Sequence, residues 1–472
     1  MNTPKSLFVA LCILCWISTA AFAGDLVIPV PCPNGTDDTA VMQAALNACV
    51  AHGPDCTVQL DAGTYLTKQL FAEDFHGTFK GRGMDATVIQ ALPNLPVSQD
   101  EPVWKNPPSL ENKYPMLILF FEGDITVCDM TIRALETSPT EAWYEFEGEP
   151  PISMLWALLQ FMAPSEEMNV VVTRVAMKGA HDPGGSVFDG YNATGFSLDP
   201  YPPYPLPSSE YLAGTFRVSA CRFDTLLEGI YGALFHDARI IIGGSPSEAN
   251  VIRNCDYGAI LVDLDSGFLD FSYNDVSVVG PSGFAGLAAW QAAIRPIVTP
   301  SSFLVHHNRF KATGSYEDGI WLIDYGTAFG EGKTGDFVVT NNTIIIEPSE
   351  ELPAYAGIES MLTEGTVISN NRIVGSGLYG IALEGDTYAM VKGNNIEEVT
   401  ADVAPIGLML LWDEFLPNDC TVVGSGTKTN LYDEGVNNTL VGVNNMQGNP
   451  PGPAIRDAMK RKMEMVKSIR RP

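Results

Sequence analysis

Five times in the second half of this chain an apolar residue is followed by two variable positions, an asparagine, one more variable position and a second apolar residue. The copies run Phe271-Asn274-Val276, Val305-Asn308-Phe310, Val339-Asn342-Ile344, Ile368-Asn371-Ile373 and Val391-Asn394-Ile396, with steps of 34, 34, 29 and 23 residues between the asparagines. Recurrence at this period marks a repeat architecture. Earlier copies keep the apolar positions and lose the amide: Val218-Cys221-Phe223, Val172-Val175-Met177 and Val127-Met130-Ile132, with Asn254 as a candidate further copy. A short strand ending in Asn at a fixed bend, once per coil, lets the amides stack and hydrogen-bond from rung to rung. These asparagines are therefore read as structural, not catalytic.

A second series follows each copy: glycine, apolar, variable, apolar, variable. It begins at Gly229, Gly258, Gly286, Gly319, Gly357, Gly380 and Gly407. The glycine permits a tight corner, and the alternation after it has the period of a strand. Two strand series in step predict two stacked parallel sheets in one coil. Helical periodicity is absent, which argues against helical solenoids, and the strands lack the hairpin turns of a sandwich.

Ahead of the repeats, Thr36-Asp37-Asp38 is a helix-start signal, and Ala40 to Ala51 places Val41, Ala44, Ala45 and Ala48 on one side. The runs TDDTAVMQAALNAC (36–49), TVQLDAGTYL (57–66) and FKGRGMDATVI (79–89) resemble the opening of the pectate lyase-like superfamily. With the repeats, the resemblance covers about residues 35–445. It implies an all-β chain: a single-stranded right-handed parallel β-helix solenoid with an N-terminal capping helix, to which the tail adds a short C-terminal helix. That superfamily holds lyases, hydrolases, epimerases, tailspikes and adhesins, so the fold alone does not choose an activity. The paired Asp motifs of polygalacturonases, the Arg-rich site of pectate lyases and the DPH motif of alginate epimerases are not recognisable here.

Residues 1–23 have the zones of a secretory signal: Lys5, an apolar run from Leu7 to Ala20, and the small-residue site Ala21-Phe22-Ala23. No later stretch is apolar for long enough to span a bilayer. The expected product is secreted, periplasmic or on the cell surface. The β-helix is expected over 24–450, with inserted loops at about 92–114, 136–151 and 181–214, followed by a basic tail at 451–472 that suits docking on the body or capping the last rung. The chain carries 27 basic and 56 acidic residues; without Lys5 and the tail, 19 basic face 54 acidic. Such a field repels nucleic acid and anionic lipid, and leaves neutral or Ca²⁺-bridged glycans as the easier partners. Of nine cysteines, two lie in the leader; Cys32, Cys49 and Cys56 are close enough for one disulfide among them, and no Cys/His pattern has zinc spacing.

Residues two and four beyond each glycine should point outward. That face, which includes Tyr231, Ile260, Val262, Trp290, Trp321, Ile323, Met361 and Met409, is unusually apolar, so it is either covered by loops or is where a ligand lies. Glu359 and Glu384 fall on it in adjacent rungs, with Cα atoms expected about 8 Å apart. Chance would place about as many acids there, so placement is the signal and not number. Glu384, flanked by Met361 and Leu411, suits a general acid whose pKa burial raises; Glu359, beside Trp321, suits a base or nucleophile. Asp324, the third expected catalytic residue, closes the same strands with Asp263 and Asp413, and these could hold water or Ca²⁺. Tyr231, Trp290 and Trp321 are the expected sugar-binding residues, with no metal site and no required cofactor. The aromatic residues of the third insertion (Tyr191, Phe196, Tyr201, Tyr204, Tyr211) suit either sugar stacking or pinning the loop. His181-Asp182 and His236-Asp237 are weaker candidates, because neighbours on a strand face opposite ways, and His306-His307 reads as surface. The expected function is cleavage of a polysaccharide on the solenoid wall, with a slight preference for hydrolysis; the alternative is a non-catalytic glycan-binding or structural β-helix.

Overall fold

The computed structural model describes residues 26–92, 116–134, 157–163, 167–181, 194–199, 211–280, 285–314, 318–328, 330–347, 354–397, 406–409, 415–424 and 429–445. The expected signal segment, the basic tail and most of the three expected insertions lie outside them. Every strand pairing is parallel, and each strand pairs with its counterpart one coil on, as in Ser301–His306 on Gly335–Thr340 and Arg309–Gly314 on Thr343–Glu347. The chain is a right-handed parallel β-helix.

The central coils, from 268 to 409, carry three strands each among the described residues, not the two expected. In one coil these are Ser301–His306, Arg309–Gly314 and Asp318–Asp324. The asparagine motif straddles the bend between the first two, so its apolar residues belong to different sheets. The third strand, on what we term the front wall, follows the glycine corner.

The bend is held by a continuous amide column. The backbone N–H and Nδ2 of Asn274 both donate to Asn308 Oδ1, at 2.9 and 3.1 Å; Asn308 donates to Asn342, Asn342 to Asn371 and Asn371 to Asn394 in the same way. Each Nδ2 also donates to a carbonyl of the preceding coil, as Asn308 does to Phe271 at 2.8 Å. The column starts at Asn250, which donates to Asn274. Asn254 is exposed in a left-handed conformation and bonds Asp224 instead, so it is not a copy of the motif.

The glycine series has a steric cause. A Cβ at Gly258 would lie 2.2 Å from the Gly286 carbonyl oxygen and 2.5 Å from Val276; at Gly319 it would lie 2.5 Å from both the Gly357 oxygen and Ile344. Rung stacking leaves no room for a side chain there, and this close approach, more than a turn conformation, demands glycine. Gly407 breaks the series: it pairs with Ala382, two residues beyond Gly380.

Inside the coils, apolar side chains pack as one core from Val30 to Leu431. Phe120 and Phe161 stack with ring centroids 5.6 Å apart, and Phe303 and Phe337 with centroids 4.7 Å apart. Helix α1 (Thr39–His52) covers the open N-terminal end. It buries Met42, Ala45, Leu46 and Cys49, while Ala44 and Ala48 are exposed: the larger side chains take the core-facing stripe. The disulfide is Cys49–Cys56, tying the helix to the first coil.

Candidate functional site

Alternation along the front-wall strands puts the predicted outward residues outside the coil, where they form their own clusters. Ile260, Val262, Ala288, Trp290, Trp321, Ile323 and Met361 pack with Ala292, Ala293, Ile297 and Tyr325, and Ala382 and Met409 pack with Tyr355, Tyr379 and Tyr432. The downstream outer face is thus covered, and loop residues 292–297 are part of the cover.

Buried carboxylates tie such loops down. Asp263 accepts the backbone N–H groups of Ala293, Ile294 and Arg295 at 2.7 to 2.8 Å. Asp324 accepts those of Gly326, Thr334 and Gly335 and the Thr334 hydroxyl. Asp386 accepts the Ser360 hydroxyl and the Thr363 N–H and hydroxyl. Burial raises all three pKa values against those hydrogen bonds, Asp263 to about 6 and Asp386 to about 7. The predicted catalytic Asp324 therefore spends its carboxylate on the loop that follows its own strand.

Glu359 and Glu384 stand where the repeat predicts. Trp321 pairs with Glu359 and Glu359 with Ala382; Met361 pairs with Glu384 and Glu384 with Met409. The neighbour of Glu384 is Met409 and not Leu411, because of the slip at Gly407; Leu411 and Asp413 lie outside the described residues. The two glutamates are diagonal, one strand apart and two residues offset, and are 1% and 4% exposed. The Tyr355 hydroxyl, buried and with its pKa raised well above the usual phenol value, donates to Glu384 Oε1. Trp321 is fully buried, edge-on to Trp290 at 5.1 Å and with its Nε1 donating to Met361 Sδ. The two rings are spent on each other instead of forming an open platform.

Apart from Asp237, which a left-handed backbone brings to 3.6 Å from His236 Nε2, the histidine partners escaped the sequence reading because they come from other rungs. His181 Nε2 lies 3.0 Å from Asp256, both side chains having no exposure; His236 Nδ1 lies 3.2 Å from Asp265 and His306 Nε2 3.2 Å from Asp270. Within the expected third insertion, Thr194–Leu198 is a front-wall strand between Ala157–Met162 and the strand that begins at Glu228. Phe196 is a core residue, and Tyr211 packs on His236 at 4.9 Å; Tyr191, Tyr201 and Tyr204 lie outside the described residues. No group of three or more His, Cys, Asp or Glu able to hold a metal occurs among the described residues. Nor is any helix there long and apolar enough to cross a membrane.

No family model matches the chain, and no curated protein matches it in sequence. Solved structures do match. The A-module of a mannuronan C-5 epimerase from Azotobacter vinelandii is 14% identical, with a TM-score of 0.46 over 89% of this chain and 97% of that one. The family 28 exopolygalacturonase of Yersinia enterocolitica is 12% identical, TM-score 0.40, over 91% and 77%. PfbA, a surface adhesin of Streptococcus pneumoniae, is 13% identical, TM-score 0.45, over 82% and 93%. At these identities the likeness is one of fold.

Proposed function

We propose that this is an exported carbohydrate-active protein that holds a polysaccharide against its front wall and hydrolyses it with Glu384 as general acid and Glu359 as base or nucleophile. The observation that supports this is the register, which sets both carboxylates on the outer face of adjacent rungs. Their Cα atoms are about 8 Å apart by strand spacing and rise, and side-chain rotation spans the separations used by retaining and inverting glycosidases. Tyr355 orients the Glu384 carboxyl. Asp324 acts by positioning a loop, Trp290, Trp321 and Tyr231 shape the wall, and no cofactor is required.

The test is a screen of the mature chain against neutral and uronate polysaccharides. Glu359→Gln and Glu384→Gln should each lower turnover by about 10²- to 10⁴-fold; unchanged turnover in both removes the assignment. The cover over Trp321 and Asp324 favours a second reading, a β-helix that binds glycan without cleaving it. Under that reading the wild-type protein retains oligosaccharide and releases no product.

A further inference from the structure

The upstream end of the front wall presents polar groups where the downstream end presents apolar ones. Gln160 and Ser197 pair in register on adjacent rungs. Each lies between two core residues, Leu159 and Phe161 for one and Phe196 and Leu198 for the other, so both side chains point outward. Gln160 is 1% exposed and Ser197 is fully buried, yet Gln160 Oε1 and Ser197 Oγ have no hydrogen-bonding partner. The Gln160 amide nitrogen is already given to the Phe161 carbonyl. Native proteins seldom leave such atoms unsatisfied, and two of them one strand apart, about 4.8 Å, call for something that bonds both.

The same face carries more polar chemistry nearby. Thr194, at the start of the Ser197 strand, donates its hydroxyl to Glu228 at 2.8 Å, and Glu228 is its register partner. Burial, with Asp256 adding to it and the Thr194 bond opposing, pushes the Glu228 carboxyl up to about 7, so at neutral pH it can donate as well as accept. Asp256 in turn holds His181 at 3.0 Å. Tyr231 pairs with Ser197 on the next rung. Glu228 and Tyr231 are only half-buried, which gives the site its solvent-facing side.

We propose that Gln160, Ser197, Glu228 and Tyr231 form a subsite for one unit of a neutral, hydroxyl-rich glycan, whose hydroxyls satisfy Gln160 Oε1 and Ser197 Oγ while the Tyr231 ring flanks the sugar. This rests on the proposed function only in taking the ligand to be carbohydrate. Charge selects the class: the neighbouring His181 is held by Asp256, and Asp256 together with the ionised fraction of Glu228 repels a uronate.

The experiment measures binding of hexasaccharides of glucose, mannose, galacturonate and mannuronate to the full mature chain by calorimetry. Wild type, Gln160→Leu, Ser197→Ala, Glu359→Gln and Glu384→Gln are compared, with thermal melts as a folding control. At least one neutral hexasaccharide should bind; Gln160→Leu and Ser197→Ala should each weaken it tenfold or more without lowering the melting temperature, and the two glutamine variants should bind as wild type does. Equal affinity in Gln160→Leu and Ser197→Ala, binding of uronates alone, or no binding by wild type overturns the subsite. Glu359→Gln and Glu384→Gln that turn over normally, while the upstream variants lose binding, overturn the catalytic pair and leave the subsite standing.

Discussion

From Ile260 to Met361 the outer face of the front wall is a packed apolar layer interrupted by Glu359, whereas from Gln160 to Glu228 the same face of the solenoid presents polar groups, two of them buried and unpartnered. The inner faces of the two halves are alike: Phe161, Phe196, Ile230, Leu287, Ile320 and Ile358 all feed one core. Parallel stacking constrains what points inward and leaves the outward positions free to diverge. The downstream half uses that freedom to anchor loops, with Asp263 and Asp324 each accepting three backbone N–H groups. The upstream half leaves two register neighbours, Gln160 and Ser197, with unpartnered atoms side by side, a state expected of a surface built for something other than stability.

The largest effect that separates the halves is expected at Trp321. Trp321→Ala removes a fully buried ring from between Trp290 and Met361, and should cost about 3–5 kcal/mol in urea unfolding. A loss below about 1 kcal/mol would mean that the downstream cover is loose, and the contrast would dissolve.

Next in size is the loop anchor. Asp324→Ala strips the acceptor from the N–H groups of Gly326, Thr334 and Gly335, at about 2–3 kcal/mol. Hydrogen exchange should quicken across 326–335 before it quickens in the wall strands. Uniform quickening would show that the loop and the wall open as one unit.

The pH dependence joins the two halves. Asp263 and Asp386 downstream and Glu228 upstream all have folded pKa values raised by burial, to about 6, 7 and 7 from ordinary values near 4. The native state therefore holds protons that the unfolded chain has already released. Their contribution is complete below about pH 4 and is lost as pH rises through 6 to 7. The melting temperature should fall by a few °C between pH 5 and 8. The net charge of −29 pushes the same way, so the informative measurement is Asp386→Asn, which should flatten the slope. An unchanged slope in that variant would assign the dependence to general charge repulsion.

Much of this architecture could be read from residues 271–396, because an amide column needs the same residue at the same bend in every coil. Asn250 was missed for a local reason: the turn Pro246–Glu248 puts a serine, Ser247, three residues before it, where the other copies have an apolar residue. The third sheet was missed because the bend is so short that two strands read as one motif. The strand Thr194–Leu198 was hidden between glycine- and proline-rich stretches. Glu359 beside Trp321 followed from counting residues after each glycine, and that count failed at Gly407, where the spacing slips by two. His181 with Asp256 and Gln160 with Ser197 needed the register itself, since residues 75 and 37 positions apart in the chain become neighbours only once the number of rungs between them is known.

The smallest predicted effect bears most directly on the contrast, because its sign differs between the halves. Downstream, removing a polar group strands donors that depend on it. Upstream, Ser197→Ala removes a buried hydroxyl that no protein group satisfies, so the desolvation cost of that hydroxyl disappears with it. In ligand-free protein the variant should match wild type or exceed it by up to about 1 kcal/mol. With a saturating neutral hexasaccharide the order should reverse, since the ligand stabilises wild type in proportion to its occupancy and the variant less. A Ser197→Ala protein that is destabilised by more than about 1 kcal/mol without ligand would mean the hydroxyl already has a partner that serves the fold, and the upstream wall would then be a scaffold like the downstream one.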